Sequence, residues 1–185
     1  MRGPAALTWS EQYSQEATSG LTLAERDALK VYTSNQYRTI NRTLRFSDVP
    51  GRNTTIGRTV AEIDSALERS VIPRDVVVGR TFNGGFLQGE IAAGNLKVGS
   101  TISDRAFVST STAINSSPSA AVMIIKVPKG SRGLALQHIS NYPEERELLL
   151  PRGSTFKVTK ITHRQSEHST LQGVVLEARL VKGAH

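Results

Sequence analysis

Ser140-Asn141-Tyr142-Pro143-Glu144-Glu145-Arg146-Glu147-Leu148-Leu149-Leu150-Pro151-Arg152-Gly153 reads as turn, strand, turn. Tyr142-Pro143 and Pro151-Arg152-Gly153 carry turn residues, and the run 145–150 between them predicts an extended strand. In such a strand the side chains at i and i+2 leave one face, about 6–7 Å apart along the chain. Glu145 and Glu147 are therefore expected on one face, with Leu148 and Leu150 on the opposite, packed face. Two carboxylates so placed repel each other unless a cation sits between them. The pair fits a pocket for a cationic ligand or transition state; it also fits a solvated strand end with Arg146 and Arg152 as counter-ions.

Around this strand the second half of the chain is β-rich. Short β runs are expected at 76–81, 105–111, 121–127, 133–139, 155–163 and 174–181, with Gly84-Gly85 and Pro128-Lys129-Gly130 among the turns between them. The first third reads as helical. Thr22-Leu23-Ala24-Glu25 is a capping box, and Leu29, Tyr32, Gln36, Ile40 and Leu44 follow as a helical stripe with one polar gap. A break is expected near Thr33-Ser34-Asn35. A loop at 50–57 precedes a second amphipathic helix carrying Val60, Ile63 and Leu67, and short helices are expected at 9–13 and 86–93. Helices first and strands afterwards indicate an α+β domain, built on a sheet or a two-sheet sandwich.

The 185 residues suffice for one domain and are too few for two of ordinary size. The absence of cysteine removes disulfides, thiol nucleophiles and cysteine-based metal sites. No apolar stretch approaches a membrane-spanning length, and residues 1–7 lack the apolar core of an export signal. The net charge of +7 favours an acidic partner, although the cations are dispersed and aromatics are sparse. No strand–Gly-rich loop–helix unit is present, which argues against a Rossmann or P-loop nucleotide site. His138, His163 and His168 show no metal-ligand spacing. The segment 164–170 reads as a surface loop, and Asp64, Glu68 and Arg69 as a solvated helix face.

Two further features accompany the acidic pair. Arg80 ends the apolar run Val76-Val77-Val78-Gly79-Arg80, where a guanidinium is costly unless an anion meets it or it emerges at a sheet edge. Ser109-Thr110-Ser111 follows Phe107-Val108 and is either a hydroxyl cluster beside a ligand or an extended polar segment. In their order and surroundings these three features resemble the mono-ADP-ribosyltransferases of the Arg, Ser-Thr-Ser, Glu-x-Glu class, in particular the bacterial exotoxins. The resemblance runs from Leu21 to about Val158. It includes Tyr37-Arg38-Thr39-Ile40-Asn41, Leu44-Arg45 and Ile124-Ile125-Lys126-Val127-Pro128-Lys129-Gly130 as well as the three motifs.

The resemblance implies N-terminal helices packed on a mainly antiparallel two-sheet β core, in a single domain at 1–185 with residues 1–20 as an N-terminal extension. It implies NAD as substrate and no metal. By the same resemblance Arg80 holds the NAD phosphates and ribose, and Ser109 positions the catalytic glutamate, Glu147. Thr110 and Ser111 shape the nicotinamide side, and Asn41 and Arg45 line the adenylate end. Glu145 marks arginine as the acceptor, and Tyr142 meets the target. Family members often carry an aromatic and an arginine in the loop after Ser-Thr-Ser, and residues 113–120 contain neither. Either NAD is held with fewer contacts, or Phe82 and Phe86 supply that stacking surface.

The chemistry follows from the substrate. NAD carries a cationic leaving group on its anomeric carbon, so the enzyme needs to stabilise an oxocarbenium-like ribose and present a nucleophile. The expected activity is transfer of ADP-ribose to a protein arginine with release of nicotinamide, by a toxin or effector delivered into another cell's cytoplasm. A cognate immunity protein in the producer and a place at the C-terminus of a larger secreted protein are parts of the same expectation. Two other functions fit less of the pattern: ADP-ribosylation of nucleic acid, and a non-catalytic nucleic-acid-binding or phage structural module.

Overall fold

The capping box at Thr22 closes as expected in the computed structural model, which describes residues 9–82, 89–114, 121–166 and 169–182. The Thr22 hydroxyl accepts the Glu25 N–H at 3.2 Å, and the Glu25 carboxylate accepts the Thr22 N–H at 2.8 Å. Helix α2 (Leu23–Val31) starts there. A π-helical turn (Tyr32–Gln36) interrupts the stripe where the break was expected, with Ser34 at ψ −171°. Its hydroxyl donates to Val31 O at 2.6 Å and accepts the Gln36 N–H at 3.3 Å, taking the place of helical backbone bonds. Helix α3 (Tyr37–Phe46) follows, and Leu29, Tyr32, Ile40 and Leu44 are buried.

Helix α4 (Thr55–Arg69) is capped by Thr54, whose hydroxyl accepts the Gly57 N–H at 3.0 Å, and it buries Val60, Ile63 and Leu67. Its outer face is more than a solvated surface. Asp64 pairs with Arg152 at 2.9 Å, and Arg69 reaches the Glu25 carboxylate at 2.6 Å. The first helix, α1 (Trp9–Ser19), is longer than expected and docks on the sheet. There the Tyr13 hydroxyl donates to Gly133 O at 2.8 Å, and the His138 N–H donates to Ser14 Oγ at 2.8 Å.

The strands are β1 (Val76–Phe82), β2 (Thr101–Ser103), β3 (Val108–Ser111), β4 (Ala121–Val127), β5 (Leu134–Ala135), β6 (Glu147–Leu150), β7 (Thr155–Ser166) and β8 (Ser169–Lys182). They form one eight-stranded ladder in the order β2-β7-β8-β4-β1-β3-β6-β5, antiparallel except for β4 beside β8. The expected division into two sheets is therefore not found as such. The arm β3-β6-β5 is joined to the rest through the single pair Gly79 with Ser111. Val108, Leu148 and Leu150 from that arm share a core with Val78, Phe156, Val158 and Leu176, so the ladder bends back over one apolar interior. Phe107, Leu134 and Leu149 face the other way and pack against Leu29, Ile40, Ile63 and Leu67 of the helices. Each such large apolar side chain contributes about 1.5–3 kcal/mol.

Several expected bounds shift. The run 133–139 contracts to β5 because the chain turns at Leu136, whose carbonyl accepts the Ile139 and Ser140 N–H groups at 2.9 and 2.8 Å. Residues 105–107 precede β3 instead of joining it. The polar β2 was not anticipated. Of the expected surface loop at 164–170, residues 164–166 and 169–170 belong to the paired ends of β7 and β8, while 167–168, including His168, lie outside the described residues. Within the helix expected at 86–93, residues 89–92 are helical, and Phe86 lies outside the described residues.

Candidate active site

The joint between the two arms of the sheet opens onto a cavity of about 540 Å³. One face of α3 supplies Tyr37, Arg38, Asn41 and Arg45, which the helical repeat of three to four residues brings into line. Strand β1 contributes Gly79, Arg80 and Thr81, and β3 contributes Ser109 to Ser111. Glu145 and Glu147 complete the wall. A second hollow of about 330 Å³ shares Tyr37, Arg38, Ser109, Glu145 and Glu147, and adds Tyr142 with residues 32–35 of the π-helical turn. Sequence-predicted residues thus meet in one cleft, and both carboxylates stand where its compartments adjoin.

The acidic pair reaches that position by a different route from the one expected. Strand β6 begins at Glu147; Glu145 ends a short 3₁₀ turn, Pro143–Glu145, and Arg146 adopts a left-handed conformation with φ 46°. Proline at the start of the turn and the reversal at Arg146 replace strand geometry, so the two side chains are not related by the pleat of one strand. The Ser111 hydroxyl holds the turn by donating to Glu145 O at 2.7 Å. Glu145 is exposed, whereas Glu147 is buried at 6% exposure.

Burial, together with the neighbouring Glu145 charge, pushes the Glu147 carboxyl up to about 7, against the lowering effect of a hydrogen bond from Ser109. Ser109 and the glutamate it was expected to position line the same two compartments. Thr110 lines the cavity with its hydroxyl engaged elsewhere, donating to Leu148 O at 2.6 Å. Side-chain alternation along β3 explains this, since Ser109 and Ser111 share a side that Thr110 cannot.

Arg80 is held from two sides. Its guanidinium lies 5.3 Å from the centre of the Phe82 ring, and Nη2 donates to Asp104 Oδ2 at 3.3 Å. Phe82 thus supports Arg80 and is not among the residues that line the cavity. Burial pushes the Arg80 pKa down, opposed by the Asp104 charge. Arg45 makes a forked pair with the same carboxylate, Nε to Oδ1 at 3.0 Å and Nη2 to Oδ2 at 2.8 Å. Asn41 donates through Nδ2 to the buried Tyr32 hydroxyl at 2.9 Å.

Arg80 Nη1 and Asn41 Oδ1 remain buried without a hydrogen-bond partner among the described residues. Such groups are costly unless a ligand meets them. A donor and an acceptor without partners, on two residues that line a cavity of this size, fit a polar, anionic ligand such as a dinucleotide. Among the described residues no group of three or more His, Asp and Glu side chains gathers to hold a metal ion.

Sequence reading missed Asp104, Tyr32 and the pair Tyr37/Arg38 as parts of the site. Asp104 gave no local signal, because its partners Arg45 and Arg80 lie 59 and 24 positions away. A Cβ at Gly79 would meet the Ile114 side chain at 3.0 Å, so the glycine makes room for Ile114.

The sequence profile of the ADP-ribosyltransferase exoenzyme family matches residues 6–183. The chain belongs to that family. It is a mono-ADP-ribosyltransferase of the bacterial exotoxin type, similar to the mono-ADP-ribosyltransferase C3 of Hathewaya limosa. That relative is 28% identical over 176 aligned positions, covering 83% of this chain and 69% of the relative. Among solved structures, the Plx2a ADP-ribosyltransferase toxin of Paenibacillus larvae superposes with a TM-score of 0.80 at 25% identity, covering 94% of each chain. The BECa component of a C. perfringens binary enterotoxin, solved with NADH, shares the fold at TM-score 0.80 and 21% identity. The match covers 94% of this chain and 47% of BECa.

Proposed function

We propose that this exoenzyme transfers ADP-ribose from NAD to the guanidinium of a target-protein arginine and releases nicotinamide. The observation that carries the reading is the placement of Glu145 and Glu147 at the meeting of two compartments. One compartment is lined by Arg45, Arg80 and Asn41, and the other is walled by Tyr142 and the π-helical turn. The first suits the anionic dinucleotide and the second suits an incoming side chain. The NADH in the BECa structure agrees with a dinucleotide ligand for the family.

In the reaction the anomeric C–N bond breaks and its electron pair passes to the pyridinium nitrogen, giving neutral nicotinamide. The ionised Glu147 stabilises the oxocarbenium-like ribose, a preorganised interaction of a kind worth about 2.7–4 kcal/mol. The acceptor nitrogen then bonds to the anomeric carbon, and its proton passes to Glu145. Arg80, which lines the cavity, holds the diphosphate by charge-assisted hydrogen bonds. Ser109 keeps Glu147 oriented, and Tyr142 contacts the target. Secretion, action in another cell's cytoplasm and a protective partner in the producer belong to the same proposal.

A nucleic-acid acceptor is the second reading, favoured by the net charge of +7. Lysate labelled with NAD and examined by tandem mass spectrometry decides the acceptor. ADP-ribose on arginine peptides is the expected result; label that resists protease and is released by nuclease overturns it.

A further inference from the structure

The carboxylate of Asp104 is shared by two guanidiniums that face the same cavity. Arg45 approaches from α3 with two bonds, 3.0 and 2.8 Å, and Arg80 approaches from β1 with one, 3.3 Å. Asp104 itself is fixed on every side. Oδ1 accepts the Ala106 N–H at 3.0 Å, the Asp104 N–H donates to Ser154 O at 3.2 Å, and its carbonyl accepts the Gly153 N–H at 2.7 Å. Gly153 adopts φ 74°, which favours glycine, and the adjacent Arg152 is tied to Asp64 on α4. The turn that follows the catalytic strand therefore anchors the acid that orients the two arginines.

Three properties of the pocket follow from this arrangement. One carboxylate between two guanidiniums leaves a single net positive charge on these three groups. Burial would raise the Asp104 pKa, but hydrogen bonds from Arg45 and Ala106 and the Arg80 charge bring it below the usual carboxylate range, so it stays ionised. Asp104 takes only Nη2 of Arg80, and Nη1 is buried without a hydrogen-bond partner among the described residues. Arg45, by contrast, spends its Nε and Nη2 on the acid.

We propose that Asp104 is a positioning residue for the dinucleotide: it aligns Arg45 and Arg80 so that the Arg80 guanidinium, which lines the cavity, meets the substrate's diphosphate. This rests on the NAD reading above. Calorimetry of NAD binding by the wild type, Asp104→Asn and Asp104→Glu separates alignment from simple charge balance. The asparagine variant keeps the size and loses the charge; the glutamate variant keeps the charge and displaces the carboxylate by one methylene.

Under the proposal both substitutions raise the NAD dissociation constant at least tenfold, and kcat changes by less than about threefold. In the Arg80→Met background the effect of either substitution shrinks, because one of the two groups being aligned is gone. Glutamate binding as tightly as the wild type, tighter binding by the asparagine variant, or full additivity with Arg80→Met overturns it. Thermal melts monitor folding, and the glutamate variant carries the test if the asparagine variant does not fold. A wild type that does not bind NAD overturns both this proposal and the reading on which it rests.

Discussion

Replacing Glu147 by glutamine removes a carboxyl that the fold holds at a thermodynamic cost. Its pKa rises from 4.5 to about 7 through burial and the Glu145 charge. At 1.36 kcal/mol per pH unit, this interval is worth about 3 kcal/mol. The sign follows from proton counting. Between pH 4.5 and about 7 the folded chain keeps a proton that the unfolded chain has released, so stability falls as pH rises through that window and levels off above it. Glutamine keeps the shape and a carbonyl for the Ser109 hydroxyl, and it carries no charge to bury. Urea and thermal melts of both proteins at pH 4.5 and pH 8 measure the effect. At pH 8, Glu147→Gln is expected to be more stable by up to about 3 kcal/mol, roughly 6–12 °C for a chain of this size. At pH 4.5 the gap closes to within about 1 kcal/mol. A variant no more stable than the wild type at pH 8, or a gap independent of pH, refutes the burial argument.

The same titration governs activity: kcat/KM for NAD hydrolysis by the wild type is expected to fall on the acid side of about pH 7, since the free enzyme must ionise Glu147. In Glu145→Gln, where one cause of the raised pKa is gone, the acid limb moves to lower pH; a limb that stays in place removes Glu145 from the pair. In the helical layer, Glu25 is buried and accepts from Thr22, Ser65 and Arg69. Burial favours its neutral form, but those bonds prevail and lower its pKa to about 2, so its contribution is present above about pH 4.5 and is lost as pH falls toward 2. Glu25→Ala is expected to cost about 2–3 kcal/mol at neutral pH by urea denaturation.

Local chemistry made much of this fold legible. Thr22 and Glu25 lie three positions apart and cap each other, and Ser34 breaks the helix with its own hydroxyl, so both features rest on neighbours in sequence. Strand β4 matches the expected run because Ala121, Met123, Ile125 and Val127 share one core face, and Val122, on the other face, is buried as well. The position of Glu145 was misread for a local reason, since Pro143 and the left-handed Arg146 override the strand pattern that Glu147 to Leu150 establish. The direction of Thr110 could have been found by alternation from Ser109. The role of Asp104 could not, since it depends on elements that only the folded chain brings together.

The acidic pair is tested most directly by following nicotinamide release and ADP-ribose transfer in the same reaction for the wild type, Glu145→Gln and Glu147→Gln. Loss of both readings in Glu147→Gln, and loss of transfer with retained hydrolysis in Glu145→Gln, is the expected pattern. A Glu147→Gln enzyme that still transfers ADP-ribose at the wild-type rate contradicts it.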